Sequence, residues 1–355
     1  MKIGITSGDW QTPINLGENH RWGGSGWARV GQYLKYLPED IVVGTLAWNN
    51  KDHFVVIDHA TKEECEVDTV IMQRLMHKGI NEHILQAQAY GQKIINDIDD
   101  WYWGVSPSNK AFSHNHPQTN PNENTNHYKG IIAKSDMVIC STPYLQNRLR
   151  ELVKGELVLL ENTIDLSRFT QHVDSGDTSP TVGWVGSTAH RSGDIETLRG
   201  VLDVMAKRGE VKLYHGGNHI GYPTFASLLN VPDELVSTAP LHPIETYATL
   251  MSMDIGIIPL RDFPFNRCKS DIKGMEYAAS GIPFIAQNLD AYVHLNKSLG
   301  VGRLAKKPVD WIKHLKQLIA NPELRKEEGA RNRATIAARD ISFGAQQFVD
   351  LITNL

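Results

Sequence analysis

Short apolar runs alternate with helix-patterned stretches along most of this chain. In the first half, Ile3–Thr6, Ile41–Leu46, Val70–Gln73, Lys93–Ile95, Met137–Cys140 and Leu157–Leu160 read as strands. Helices fit between several of them. Trp27, Val30, Gly31 and Leu34 share one face at i, i+3, i+4, i+7, with Ser25 placed to cap, and Asn81–Tyr90 and Tyr144–Leu152 follow the same rule. The alternation predicts a doubly wound parallel sheet.

The polar, turn-rich stretch "HVDSGDTSP" (His172–Pro180) reads as a linker. A second series follows in Val182–Val185, Val211–Tyr214, Ile255–Ile258 and Phe284–Ala286. Two domains are therefore expected, 1–172 and 173–343. A last helical pattern, Gly344–Ile352 within 344–355, is expected to pack back on the first domain. Two α/β sheets facing a cleft place ligands beyond the carboxyl ends of the strands. The loop Ser106–His127 is long, polar and aperiodic, a combination typical of functional or disordered segments.

Composition narrows the class. The 355 residues exceed one ordinary core, and 41% hydrophobic with 21% charged residues is a globular composition. A net charge of −4 gives no global pull toward nucleic acid or anionic membranes. Cys65, Cys140 and Cys268 are odd in number and scattered, which argues against a disulfide framework or a zinc site. "MKIGITSGDW" reads as a strand and turn rather than a secretory signal, and no run approaches the ~20 apolar residues of a spanning helix. A cytoplasmic enzyme or binding protein is the expectation.

Candidate chemistry lies at the strand ends. After Val185, "GSTAHR" offers Gly186 and Ser187 backbone N–H groups with His190 and Arg191, an anion cradle or simply a capped turn. In "FNRCKSDIKGMEYAASGIPFIA", Ser270 is set to cap a helix Asp271–Ser280. Gly281 suits the residue after that helix, Pro283 blocks its continuation, and "PFIA" reads as a buried parallel strand. Lys269 and Arg267 sit just ahead of the helix N-terminus, where free N–H groups and the dipole favour a diphosphate. Glu276, a turn and a half on, suits vicinal ribose hydroxyls. Alternatively, Lys273 and Glu276 form only an exposed i,i+3 pair.

The first domain adds "RWGGSGWAR" (Arg21–Arg29), whose Gly24 and Gly26 allow close backbone approach, although the G-x-G-x-x-G order is absent. "NDIDDWYWG" places Asp97, Asp99 and Asp100 beside Trp101, Tyr102 and Trp103, a mixture suited to sugars. It also admits a cation with His114 or His116, or a merely structural acidic strand end, but no metal-ligand set is complete.

These motifs, in this order, resemble the GT-B glycosyltransferases, specifically their retaining, family-4-like group. "VGWVGSTAH" is similar to the strand and glycine turn beneath the donor diphosphate, and "IGIIPLRDFPFNRCKSDIKGMEYAASGIPFIA" to the donor signature. "IINDIDDWYW" resembles the acidic strand end of some members. "KSDMVICSTPYLQNRLRELVKGELVLLENTIDLSRF" resembles the segment leading to the linker, and "GGSGWAR" lies where such enzymes carry a glycine-rich donor loop. The similarity runs from about Lys93 to Ala286.

The resemblance implies two Rossmann-like domains, a nucleotide-diphosphate sugar as co-substrate, and no metal or other cofactor. It puts donor contacts at Gly24, Gly26, Gly186, Ser187, Arg267, Lys269, Ser270 and Glu276. Lys269 and Arg191 would stabilise the departing diphosphate, and Asp99 or Asp100 would orient the acceptor or act as base. Asp97, Trp101, Trp103 and His114 would complete the acceptor side. The first Glu of the paired-Glu signature falls at Cys268, so that carboxylate is missing.

The acceptor is a hydroxyl of a glycan, a protein side chain or a hydroxylated DNA base. Basic and aromatic residues form no stripe, which disfavours DNA, and no basic amphipathic helix suggests membrane attachment. Competing readings are a GT-B-fold sugar-nucleotide epimerase, a non-catalytic sugar-nucleotide-binding protein and, without its glycine fingerprint, an NAD-dependent oxidoreductase.

Overall fold

The alternating pattern resolves into two sheets in the computed structural model, which describes residues 2–10, 22–107, 109, 112–115, 119–190 and 193–354. The first sheet contains β1 (Ile3–Ser7), β2 (Ile41–Trp48), β3 (Phe54–Asp58), β4 (Glu64–Glu66), β5 (Thr69–Gln73), β6 (Lys93–Ile98), β7 (Met137–Cys140) and β8 (Glu156–Leu159). Their spatial order is β4-β3-β2-β1-β5-β6-β7-β8. The second contains β9 (Thr181–Val185), β10 (Lys212–Asn218), β11 (Val236–Pro240), β12 (Ile255–Ile258), β13 (Phe284–Gln287) and β14 (Arg303–Ala305), in the order β11-β10-β9-β12-β13-β14. Every pairing is parallel except β2–β3 and β3–β4. The central strands β5, β7 and β12 are buried at every position, as helices on both faces require.

Several local expectations change. Periodicity misses β3, β4, β11 and β14. β4 and β14 are three residues long, and β3 belongs to an antiparallel hairpin that βα alternation does not provide for. The helix expected through Trp27–Leu34 is α-helical only over Gly24–Arg29, capped by Gly23 rather than Ser25, and tightens to a 3₁₀ turn over Gly31–Tyr36. The loop Ser106–His127 contains a short helix, Phe112–Asn115, and the start of another, Asn124–Lys134.

Chain crossings join the sheets. Residues 170–180 have no regular structure. They are nonetheless pinned: Asp174 pairs with fully buried Arg325 at 2.7 Å, and Asp254 accepts from the Ser175 and Thr181 N–H groups at 2.8 Å. The chain returns after helix Pro322–Ile336, where Ile164 bridges Asp340. Helix Ile341–Thr353 then buries Ile341, Ala345, Phe348 and Ile352 against Ile3 and Ile5 of the first sheet and Tyr33 of the 3₁₀ turn.

Burial works to raise the Asp254 pKa, but hydrogen bonds from His172, Ser175 and Thr181 outweigh it and hold the carboxyl below its usual range. A depressed carboxyl stabilises the fold fully above its unfolded pKa of about 3.9 and loses that contribution as pH falls below it. Asp254→Asn should therefore cost on the order of 1–3 kcal/mol at neutral pH. Urea melts at neutral pH and at about pH 3 should show a smaller acid loss in the variant; an equal loss would assign the acid sensitivity elsewhere.

Candidate functional site

β1 and β9 each sit where strand order changes direction, and their carboxyl ends face each other across a cleft of about 660 Å³. The cleft draws Gly24, Asp99 and Asp100 from the first domain. From the second it draws Gly186, Ser187, Lys269, Ser270 and Glu276. The sequence pattern thus brings eight of its candidates to one place.

The donor-side helix runs Ile272–Ala279 and is capped by Asp271, one residue later than expected. The reason is local. "PFNRC" closes its own helical turn, Pro264–Cys268, which ends in an extended Lys269 before the next helix begins. This places Lys269 in the cleft, with its ammonium 3.8 Å from Asp100 across the domain boundary and 4.3 Å from the centre of the Phe265 ring. It also turns Arg267 outward, where Asp262 takes its guanidinium through two oxygens. Arg267 does not line the cleft, which corrects its assignment to the donor.

Cys268 points inward and is fully buried, and burial pushes its thiol up to about 12. A neutral, inert side chain stands there, and Asn266 is turned to Asp194 and the Arg261 carbonyl.

Glu276 accepts from Lys273 at 2.6 Å, and the same ammonium donates to the Tyr247 hydroxyl. Lys273 and Glu276 are each only 8% exposed, so their pair is part of the cleft wall rather than a solvated surface feature. Lys273 and Tyr247 were not legible as site residues, because i,i+3 spacing cannot tell a buried pair from an exposed one. Arg168 was also missed. Its guanidinium lies 4.6 Å from the Trp27 ring centre and donates to the Ile244 carbonyl, linking the domains along the cleft. Burial draws its pKa down against the pull of Asp165 and Glu276, but a guanidinium stays charged.

Gly186 serves shape more than charge. Its φ of +138° is a conformation that L side chains rarely adopt. Its N–H donates to the Gly216 carbonyl at 2.7 Å, and its carbonyl accepts from His215 Nε2 at 2.9 Å. A phosphate cradle through the Gly186 N–H is therefore corrected: that group is already committed. Ser187 Oγ accepts from the Ala189 N–H, as in an ordinary capped turn.

On the first domain, Asp99 accepts from the Tyr102 hydroxyl at 2.8 Å. Gly26 is corrected: it does not line the cleft, and its N–H is held by Asp9, whose carboxylate also takes Arg74. Asp97 is corrected as well. It is 1% exposed, and Arg29 grips both its oxygens at 2.7–3.1 Å while also donating to Leu160 O and Asn162 Oδ1. With both oxygens taken and no solvent access, Asp97 is structural.

Trp101 and Trp103 do not line the cleft either. Trp101 stacks under Arg148, and Trp103 donates to the Thr125 carbonyl. β6 ends at Ile98 and the chain then leaves the sheet, and of this acidic and aromatic run only Asp99 and Asp100 line the cleft. Arg191 lies outside the described residues, as does the side chain of His114. Among the described residues, no group of three or more His, Cys, Asp or Glu side chains could hold a metal ion, and no helix is long and apolar enough to cross a membrane.

The two facing sheets and their cleft define a GT-B architecture, and solved structures share it over the whole chain. Sucrose-phosphate synthase of Thermosynechococcus elongatus matches with a TM-score of 0.69 at 14% identity, covering 100% of this chain and 99% of that one. HepE of Anabaena, solved with UDP, matches at 0.68 and 13% identity, covering 100% of both chains. By sequence, the chain is similar to TuaH of Bacillus subtilis strain 168, named as a teichuronic acid biosynthesis glycosyltransferase, at 27% identity over 178 residues. That stretch is 47% of this chain and 44% of the relative, less than half its length. No family model matches.

Proposed function

We propose that this chain transfers a sugar from a nucleotide-diphosphate donor to a hydroxyl acceptor, with retention of configuration and without a bound metal. The observation that carries the reading is the facing arrangement of Lys269, Lys273 and Glu276 on one wall and Asp99 and Asp100 on the other. The similar protein named as a glycosyltransferase supports it, as does HepE, solved with UDP, with UDP and glucose, and with UDP-glucose. Three free thiols fit a cytoplasmic place.

The chemistry follows from charge. Breaking the bond between the sugar's anomeric carbon and the diphosphate leaves negative charge on the departing oxygen. Lys269, beside the exit from helix Pro264–Cys268, meets that charge where it develops, with Arg168 and Lys273 adding to the positive wall. These cations supply the compensation a metal would otherwise provide. The acceptor hydroxyl enters on the face the leaving group vacates, and its oxygen bonds to the anomeric carbon. Its proton passes to the departing phosphate oxygen, while Asp99 or Asp100 orients the hydroxyl. Glu276, held by Lys273, is placed to accept from ribose hydroxyls.

A non-catalytic sugar-nucleotide-binding protein is the second reading, favoured by buried Cys268 where a carboxylate would meet the donor sugar. A glycan, a protein side chain or a modified DNA base remains the acceptor class.

Calorimetric titration with a panel of nucleotide sugars and free nucleotides, with and without EDTA, tests the donor site. One nucleotide series should bind, indifferent to EDTA, and Glu276→Ala should weaken it roughly tenfold to a hundredfold. Binding of NAD alone, or of nothing, would leave only the fold. Release of sugar or its transfer in the same samples separates an enzyme from a binding protein.

A further inference from the structure

A second cavity, of about 740 Å³, lies in the first domain between the end of β1, the β2–β3 hairpin and the start of helix Lys78–Tyr90. It exceeds the cleft in volume and falls in the range of small-molecule sites. Rings from four separate segments converge on it. The Trp10 ring packs on His59 with centroids 3.9 Å apart, and Trp48 meets His83 edge-on at 4.3 Å. Apolar surface continues along Ile57, which is 37% exposed.

Fixed charge is scarce in this lining. Asp58 is engaged by the Ala60 N–H at 2.6 Å, and Lys62 donates to the His59 carbonyl at 2.6 Å. What remains is aromatic faces, aliphatic surface, imidazoles and the Thr45 hydroxyl, which bonds to His59 Nε2. A ligand matching this lining is uncharged, has C–H faces to lay on rings and carries hydroxyls to bond imidazoles. Those are the properties of a neutral carbohydrate.

Position links the cavity to the cleft. Trp10 packs edge-on against Trp22 at 4.9 Å, and Trp22 lines the cleft, so the two spaces share one wall. Ser7 on the cavity floor is in register with Gln73 of β5, and Gln73 with Asp97 of β6. Two strand spacings, about 10 Å, therefore separate the floor from β6, the strand that Asp99 and Asp100 directly follow. A short oligosaccharide spans that distance, whereas a single sugar does not.

We propose that this cavity binds a neutral carbohydrate segment of the acceptor, remote from the hydroxyl that receives the new sugar. The inference rests on the transferase reading and makes the acceptor a glycan of several units.

The intact protein would be applied to a glycan array carrying neutral and uronate-containing oligosaccharides alongside their monosaccharides, and its hits titrated calorimetrically. Neutral oligosaccharides should bind and their monosaccharides should not. Trp48→Ala should weaken binding by at least about tenfold. His83→Ala, which keeps the helix and removes the ring facing Trp48, should weaken it as well and guards against a misfolded tryptophan variant.

Donor binding by the wild type, measured in parallel, separates the two claims. Donor binding without oligosaccharide binding, preference for uronates, binding to lipid vesicles instead, or full affinity in folded Trp48→Ala and His83→Ala would each overturn the cavity assignment and leave the donor site standing. Failure to bind any nucleotide sugar would remove the transferase reading, and this inference with it.

Discussion

Replacing Lys269 by alanine should lower turnover of the nucleotide sugar by roughly 10²–10³-fold. Its ammonium lies in the cleft, its side chain is 20% exposed, and it already pairs with Asp100 across the domain boundary. An interaction that strengthens as the diphosphate leaves lowers the barrier more than it improves binding, so kcat should fall further than KM rises. Lys269→Arg keeps the charge but changes its reach, and should retain an intermediate rate. The same variants should melt close to wild type, since a partly exposed pair contributes little to stability. Unchanged kcat in Lys269→Ala would remove this residue from the chemistry and shift attention to Lys273 and Arg168.

A second large effect is expected where the sequence suggested chemistry and the fold shows architecture. Asp97→Asn should destabilise the protein by about 3–5 kcal/mol, because it leaves the Arg29 guanidinium buried without its counter-charge. Arg29 ties β6 to Leu160 and Asn162, the chain leaving β8, so the loss should spread to the crossing where Ile164 bridges Asp340. A drop in melting temperature on the order of 10 °C would follow, with KM for acceptor unchanged in the folded fraction. The pair Arg29→Met with Asp97→Leu should recover part of the loss, since well-packed apolar residues often replace a buried ion pair without penalty. A normally stable Asp97→Asn that no longer uses acceptor would restore Asp97 to the acceptor side.

These two residues show why the site was only partly readable. Lys269 and Glu276 are separated by one short helical stretch, so their shared position follows from local geometry, and spacing alone finds them. Asp97, Asp99 and Asp100 belong to one acidic run, yet Asp97 lies within β6 and is held inside, whereas Asp99 and Asp100 follow the strand's end and line the cleft. The end of the strand at Ile98 and a partner 68 positions away decide that difference, and neither appears in the run itself. Arg267 is a similar case. A helical turn over Pro264–Cys268 sends it to Asp262, whereas the cluster of charges had suggested a common target.

Order along the chain was enough to predict two series of alternating strands and helices, a C-terminal helix and a helix that starts just after Lys269. Each depends on contacts within a few residues or on a hydrophobic period, and both are written locally. The β2–β3–β4 hairpin, the burial of Lys273 with Glu276, the reach of Arg168 and the diversion of Asp97 to Arg29 required the assembled sheets. The Arg168 and Asp97 contacts join segments distant in sequence, and the Lys273–Glu276 pair, only three residues apart, becomes a buried pair only in the assembled fold. Such interactions acquire their energy when packing removes water and brings the partners together.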